Sequence, residues 1–135
     1  MLPVYLFDTN AVSDAMMNHP KIKAKMAGQP GQLITSVIVS GEIGYGLERL
    51  PAGKRRNDLK SKAVRVLAAL PSEPVTLPTA NLYATVRRAV ELQGLTMDDN
   101  DLWIAATALN RGAVLVSRDK GFAQVPGLQV EDWTA

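Results

Sequence analysis

The chain has 135 residues, 15 Lys and Arg against 13 Asp and Glu, and a formal net charge of +2. That length suits one domain, 1–135, able to bury a core of its own. It contains no cysteine and a single histidine, which excludes a disulfide framework, a thiolate nucleophile and cysteine- or histidine-built zinc centres, so any bound metal must be held by oxygen.

Val4-Tyr5-Leu6-Phe7 reads as a strand buried on both faces, ended abruptly by Asp8, Thr9 and Asn10. Ligands of open α/β sheets bind at the carboxyl ends of strands, which makes Asp8 the first candidate for chemistry. The structural alternative is a helix cap, with Thr9 and Asn10 available to share that role. A short helix over 10–17 is interrupted at His19-Pro20. Pro20 then starts a second helical piece with Ile22 and Met26 on one face, closed by Gly28 and a Gln29-Pro30-Gly31 turn. His19, before a proline and far from other ligand types, reads as structural or surface.

Leu33-Ile34-Thr35 is a second strand, and Ser36 is a natural cap for a helix from 37 to about 50. Within that helix Glu42 emerges from a stripe of Ile38, Val39, Ile43 and Gly46. An unpaired ionised acid there costs several kcal/mol, so a ligand or close packing is expected to compensate it, and Gly46 leaves room beside it. After Pro51-Ala52-Gly53, residues 55–70 form an amphipathic helix with Leu59, Ala63, Val66, Leu67 and Leu70 on its apolar side. Its other side is basic, either as a solvated face or as a contact for a polyanion. Arg55, Arg56 and Lys60, with Arg118 further on, are the candidates for contact with a nucleic acid.

Pro71-Ser72-Glu73-Pro74 reads as a loop, Val75-Thr76-Leu77 as a short strand, and Thr79 as the cap of a helix running through Leu82, Val86 and Val90 to Gly94. The densest acidic point, Met97-Asp98-Asp99-Asn100-Asp101, leads into a helix that ends near Gly112. Asp101, Ile104, Ala105 and Ala108 share a helical face, so Asp101 begins the buried stripe and reads as functional, while Asp98 and Asp99 read as caps or outer acids. Residues 113–117 form another apolar strand, and Asp119 past its end repeats the geometry of the first. A turn at Pro126-Gly127 leads to a last short edge strand near Val130. With no apolar run of about 18 residues and no signal-peptide pattern, a cytoplasmic protein without membrane contact is expected.

Strands alternating with helices imply an α/β fold with a mostly parallel central sheet flanked by helices on both faces. Asp8, Glu42, Asp101 and Asp119 would converge in such a fold and repel one another unless divalent cations, Mg2+ or Mn2+, sat among them. Metal held this way can activate water and neutralise a phosphoryl oxygen, so the reaction class is phosphodiester hydrolysis. The four acids would be metal ligands, with Glu42 as ligand or water-orienting base, and Thr9, Asn10 and Ser117 would support them. No Walker lysine motif, dinucleotide fingerprint or nucleophile elbow is present.

Phe7-Asp8-Thr9-Asn10 with Ser13, Glu42-Ile43 with Gly46, Asp101-Leu102-Trp103-Ile104-Ala105-Ala106, and Ser117-Arg118-Asp119 with Phe122 together resemble the PIN-domain ribonucleases, specifically the VapC-like toxins of type II toxin-antitoxin modules. The resemblance runs nearly end to end, through Gly127-Leu128 and Asp132-Trp133. It implies a PIN-like fold, magnesium or manganese bound by Asp8, Glu42, Asp101 and Asp119, endonucleolytic cutting of RNA, a cognate antitoxin whose tail fills the cleft, and a homodimer. Two rivals are a receiver-type phosphoacceptor domain, which needs an acidic pair after the first strand and an aspartate at a middle strand tip, and a catalytically silent nucleic-acid-binding module.

Overall fold

Consecutive apolar or small residues can occupy a strand only where both of its faces are covered, because successive side chains point to opposite sides. In the computed structural model, which describes residues 1–135, Tyr5, Leu6 and Phe7 are all buried in strand β1 (Val4–Phe7). β1 is the middle of a five-stranded sheet with β2 (Gln32–Ser36), β3 (Ser72–Glu73), β4 (Val114–Val116) and β5 (Val130–Glu131), in the order β3-β2-β1-β4-β5. Every pairing is parallel, and Leu6 stands opposite Ile34 on one side and Leu115 on the other. The sheet is thus wholly rather than mostly parallel.

Six helices connect the strands: α1 (Thr9–Met16), α2 (Pro20–Gly28), α3 (Val37–Glu48), α4 (Lys54–Ala68), α5 (Leu77–Leu92) and α6 (Asp99–Arg111). α1 packs against α2, α3 and α4, while α5 and α6 pair with each other. One core of 24 buried residues runs from Tyr5 to Trp133, whose ring packs on Tyr5 at 5.0 Å and on Phe7 at 5.3 Å. No helix is long and apolar enough to cross a membrane.

Two local expectations are corrected. Val75-Thr76-Leu77 is not a strand; the strand lies at Ser72–Glu73, inside the expected loop. Thr35 donates its amide hydrogen to the Pro71 carbonyl at 3.0 Å, so the proline contributes only an acceptor and does not block pairing. The cap of α5 is Thr76, not Thr79. Thr79 is buried at the third helical position, where its Oγ1 accepts the Thr76 amide at 3.2 Å. Elsewhere helix ends shift by one or two residues, as frayed ends do. Gly112 closes α6 at φ 65°, a left-handed conformation open to glycine, and turns the chain into β4.

Candidate active site

The chain leaves β1 to build β2 and β3 on one side and returns later to place β4 on the other. At such a reversal the carboxyl ends of neighbouring strands open a crevice. β1 and β4 flank it, and their tips are joined: Ser117 Oγ donates to Asp8 Oδ2 at 2.5 Å, and the Asp8 amide donates to the Val116 carbonyl at 3.1 Å. The other carboxylate oxygen of Asp8 accepts the Ala11 amide at 2.8 Å and so caps α1. Capping and site placement therefore fall on one residue, which corrects the expectation that Thr9 and Asn10 cap. Asp8 is 4% exposed. Burial and the neighbouring Asp119 raise its proton affinity above the ordinary carboxylate range, against the pull of Ser117, Ala11 and Arg118.

Thr9 opens α1, and its hydroxyl donates to Glu42 Oε1 at 2.6 Å, tying α3 to the tip of β1. Asp101 stands half-buried in the first turn of α6, with its pKa pushed up to about 6. Burial is the main cause, followed by the charges of Asp119, Asp98, Glu42 and Asp8. Asp119 is exposed; its Oδ1 accepts the Gly121 amide at 2.8 Å, and its own amide donates to Ser117 Oγ at 3.0 Å. None of Asp8, Glu42, Asp101 and Asp119 forms an ion pair. Arg118, the cation whose charge acts on Asp8, is held by Asp14 at 3.0 Å.

The donor set is all oxygen and its charge is uncompensated, which suits a hard divalent cation. As the side chains stand, no three of these acids close around a common point. Asp119 is turned into its own loop and Glu42 is drawn to Thr9, yet each keeps acceptor capacity free. The residues fit magnesium or manganese by chemistry, in an open arrangement rather than a closed cage.

A cleft of about 660 Å³ lies beside Glu42, lined by Thr9, Tyr45, Arg49, Asp98 and Asn100 among others. The adjacent acids thus part company. Asp98 faces the cleft and acts on Asp101, whereas Asp99 accepts a hydrogen bond from the Tyr83 hydroxyl and lies 3.8 Å from Arg87. Asp98 occupies the cap position of α6 without a side-chain capping bond. Asn10 is exposed on α1 and is not among the cleft residues; Asn100 is. Of the basic candidates, Arg56 pairs with Glu48 at 3.1 Å, and Arg55 and Lys60 sit exposed on α4 outside the cleft. Tyr45 and Arg49 were not singled out by sequence reasoning, which followed the apolar stripe of α3. Their signal was positional, three and seven residues beyond Glu42 on the same helical face.

These features define an all-parallel α/β protein with an uncompensated acidic centre at the switch point of its sheet. Residues 5–128 match the family described as PIN domain, and the chain belongs to that family. Within it the chain stands with the VapC proteins. It is 33% identical over 138 residues to Ribonuclease VapC1 of Haemophilus influenzae (strain R2866), covering 97% of this chain and 98% of that relative. It superposes with a TM-score of 0.85 and 27% identity on VapBC2 from Rickettsia felis bound to a DNA fragment from their promoter, over 95% of this chain and 97% of the other. VapBC-1 from nontypeable Haemophilus influenzae gives a TM-score of 0.83 at 27% identity, over 98% and 99%. The PIN-like fold expected from the sequence is the fold observed. A receiver-type strand order, 2-1-3-4-5, is not present. The one acid in β3, Glu73, is paired with Arg111 at 2.6 Å.

Proposed function

We propose that this chain is a magnesium- or manganese-dependent endoribonuclease and the toxin of a toxin-antitoxin pair. The observation that carries the reading is the set of four acids without cationic partners at the switch point of the sheet, two of them with raised proton affinity. The kinship with a protein named ribonuclease supports RNA as the substrate, and the VapBC neighbours support a cognate antitoxin as the partner. A homodimer and a cytoplasmic location belong to the same reading.

Asp8, Asp101 and Asp119 would hold the metal, with Glu42 as a further ligand or as the base that orients water. Bound there, the ion supplies an activated water and neutralises charge developing on the phosphoryl oxygen. The protein's own residues fix the geometry. The Ala11 amide and the Ser117 hydroxyl lock the Asp8 carboxylate from two sides, and Thr9 aims Glu42 toward the same crevice. Asp101 ionises only near pH 6, so its carboxylate is available at neutral pH and withdrawn in acid.

Incubating the full chain with a pool of structured RNA, with metal or with EDTA, tests the proposal. Internal cleavage is expected only with metal, and Asp101→Asn is expected to lower it at least about 100-fold, as loss of a group acting on the transition state does. Equal cleavage by wild type and Asp101→Asn would overturn the assignment, and RNA binding without cleavage would favour a silent module.

A further inference from the structure

The cleft holds one feature that hydrolysis by the acids leaves unused, an exposed aromatic ring. Tyr45 is 66% exposed and stands three residues beyond Glu42, about one turn along the same face of α3. Arg49 follows one turn later, with its guanidinium over the Tyr45 ring at 5.7 Å from the centroid. Arg49 forms no ion pair and is the only basic side chain lining the cleft. On either side of Tyr45, the space where a Cβ would stand at Gly44 and Gly46 is open, so these neighbours put nothing over the ring.

A large ring left in solvent adds little to folding, because its apolar area is not removed from water. A ring and a guanidinium plane presented together are the groups on which unpaired bases stack, and stacking tolerates every base because each has a π face. The surrounding acids repel a phosphate backbone, and Arg49 is the local charge that offsets this. We propose that Tyr45 and Arg49 form a stacking platform for an unpaired base of single-stranded RNA, next to the bond cut at the carboxylates. This inference rests on the ribonuclease reading above. It adds that Tyr45 and Arg49 hold the nucleotide beside the cleavage point, whichever base it carries.

The test uses the full chain and single-stranded RNA oligomers containing 2-aminopurine at successive positions, with wild type, Tyr45→Ala, Tyr45→Phe and Arg49→Ala compared. Tyr45→Ala is expected to raise KM about 5- to 150-fold, the span that loss of one base-aromatic stack gives. Fluorescence quenching at one position beside the cut is expected in wild type and Tyr45→Phe and absent in Tyr45→Ala. Arg49→Ala is expected to raise KM and weaken its salt dependence. Thermal midpoints should stay unchanged, since Tyr45 is exposed. Wild-type KM and quenching in Tyr45→Ala, with RNA still cut, would overturn the platform alone. Unchanged RNA kinetics with weakened antitoxin binding would assign the face to the protein partner and also overturn it. No RNA cleavage by wild type would remove the ribonuclease reading and the platform with it.

Discussion

Ser117 Oγ donates to Asp8 Oδ2 and accepts the Asp119 amide, so a single buried hydroxyl sets the spacing of two acids at adjoining strand tips. Ser117→Ala strips the donor from a buried carboxylate oxygen, at a cost of about 1–3 kcal/mol, and is expected to lower the thermal midpoint. It also removes the main hydrogen bond that holds the Asp8 pKa down, so the acid limb of the pH-rate profile should move to higher pH. Ser117→Thr should restore both. Asp101 makes the opposite prediction. Its folded pKa, about 6, lies above the ordinary 3.8, so folding favours the protonated acid and ionisation between those values costs stability. Asp101→Asn removes that cost. In metal-free buffer at pH 8 it is expected to raise stability by about 1 kcal/mol after solvent screening of this half-exposed group, and the gain should vanish below about pH 4. A melt series from pH 3.5 to 8 checks the sign. Asp8→Asn is not equivalent, because Asp8 also caps α1 and accepts from Ser117, and the amide loses one of those acceptors.

Glycines at the ends of elements separate steric need from habit. At Gly31, which leads into β2, a Cβ would fall 2.5 Å from the Pro3 carbonyl oxygen and 3.1 Å from the Tyr5 ring, beside the first rung of the β1–β2 ladder. Gly31→Ala is expected to cost about 1–3 kcal/mol through overpacking. Gly28, the last residue of α2, has open space around its Cβ position and no positive φ, so Gly28→Ala should be neutral or stabilise by up to about 1 kcal/mol. Denaturant melts of the two variants together test the contrast. β1 and the strand at β4 were legible because buried apolar runs end at polar tips. β3 was not, because a two-residue edge strand is specified by its partner Thr35-Ser36 and carries no pattern of its own. Thr76 and Thr79 bracket one capping box, so composition alone could not say which was the cap.

The convergence of the acids is a property of topology rather than of any local stretch. Asp8 and Glu42 are 34 residues apart and Asp119 lies 77 beyond Glu42, yet a parallel sheet with its reversal between β1 and β4 brings their elements to one crevice. Two cues made the quartet legible: acids at strand tips, and acids on otherwise apolar helical faces. Tyr45 was not legible because an exposed ring on a helix gains meaning only from the cleft beside it. Stability should therefore report on the quartet as a unit. A cation bound among the acids stabilises the whole fold by mass action, about 2.7 kcal/mol at 100 times its Kd, or roughly 8–12 °C in midpoint for a chain of this size. Manganese added to EDTA-treated protein at pH 8 is expected to give a rise of that order in wild type and a much smaller one in Asp101→Asn. Lowering the pH from 8 to 5 should shrink the wild-type rise, because Asp101, with its pKa near 6, is then mostly protonated and protons compete with metal. Equal stabilisation of both proteins, or a rise insensitive to pH, would place the cation away from Asp101.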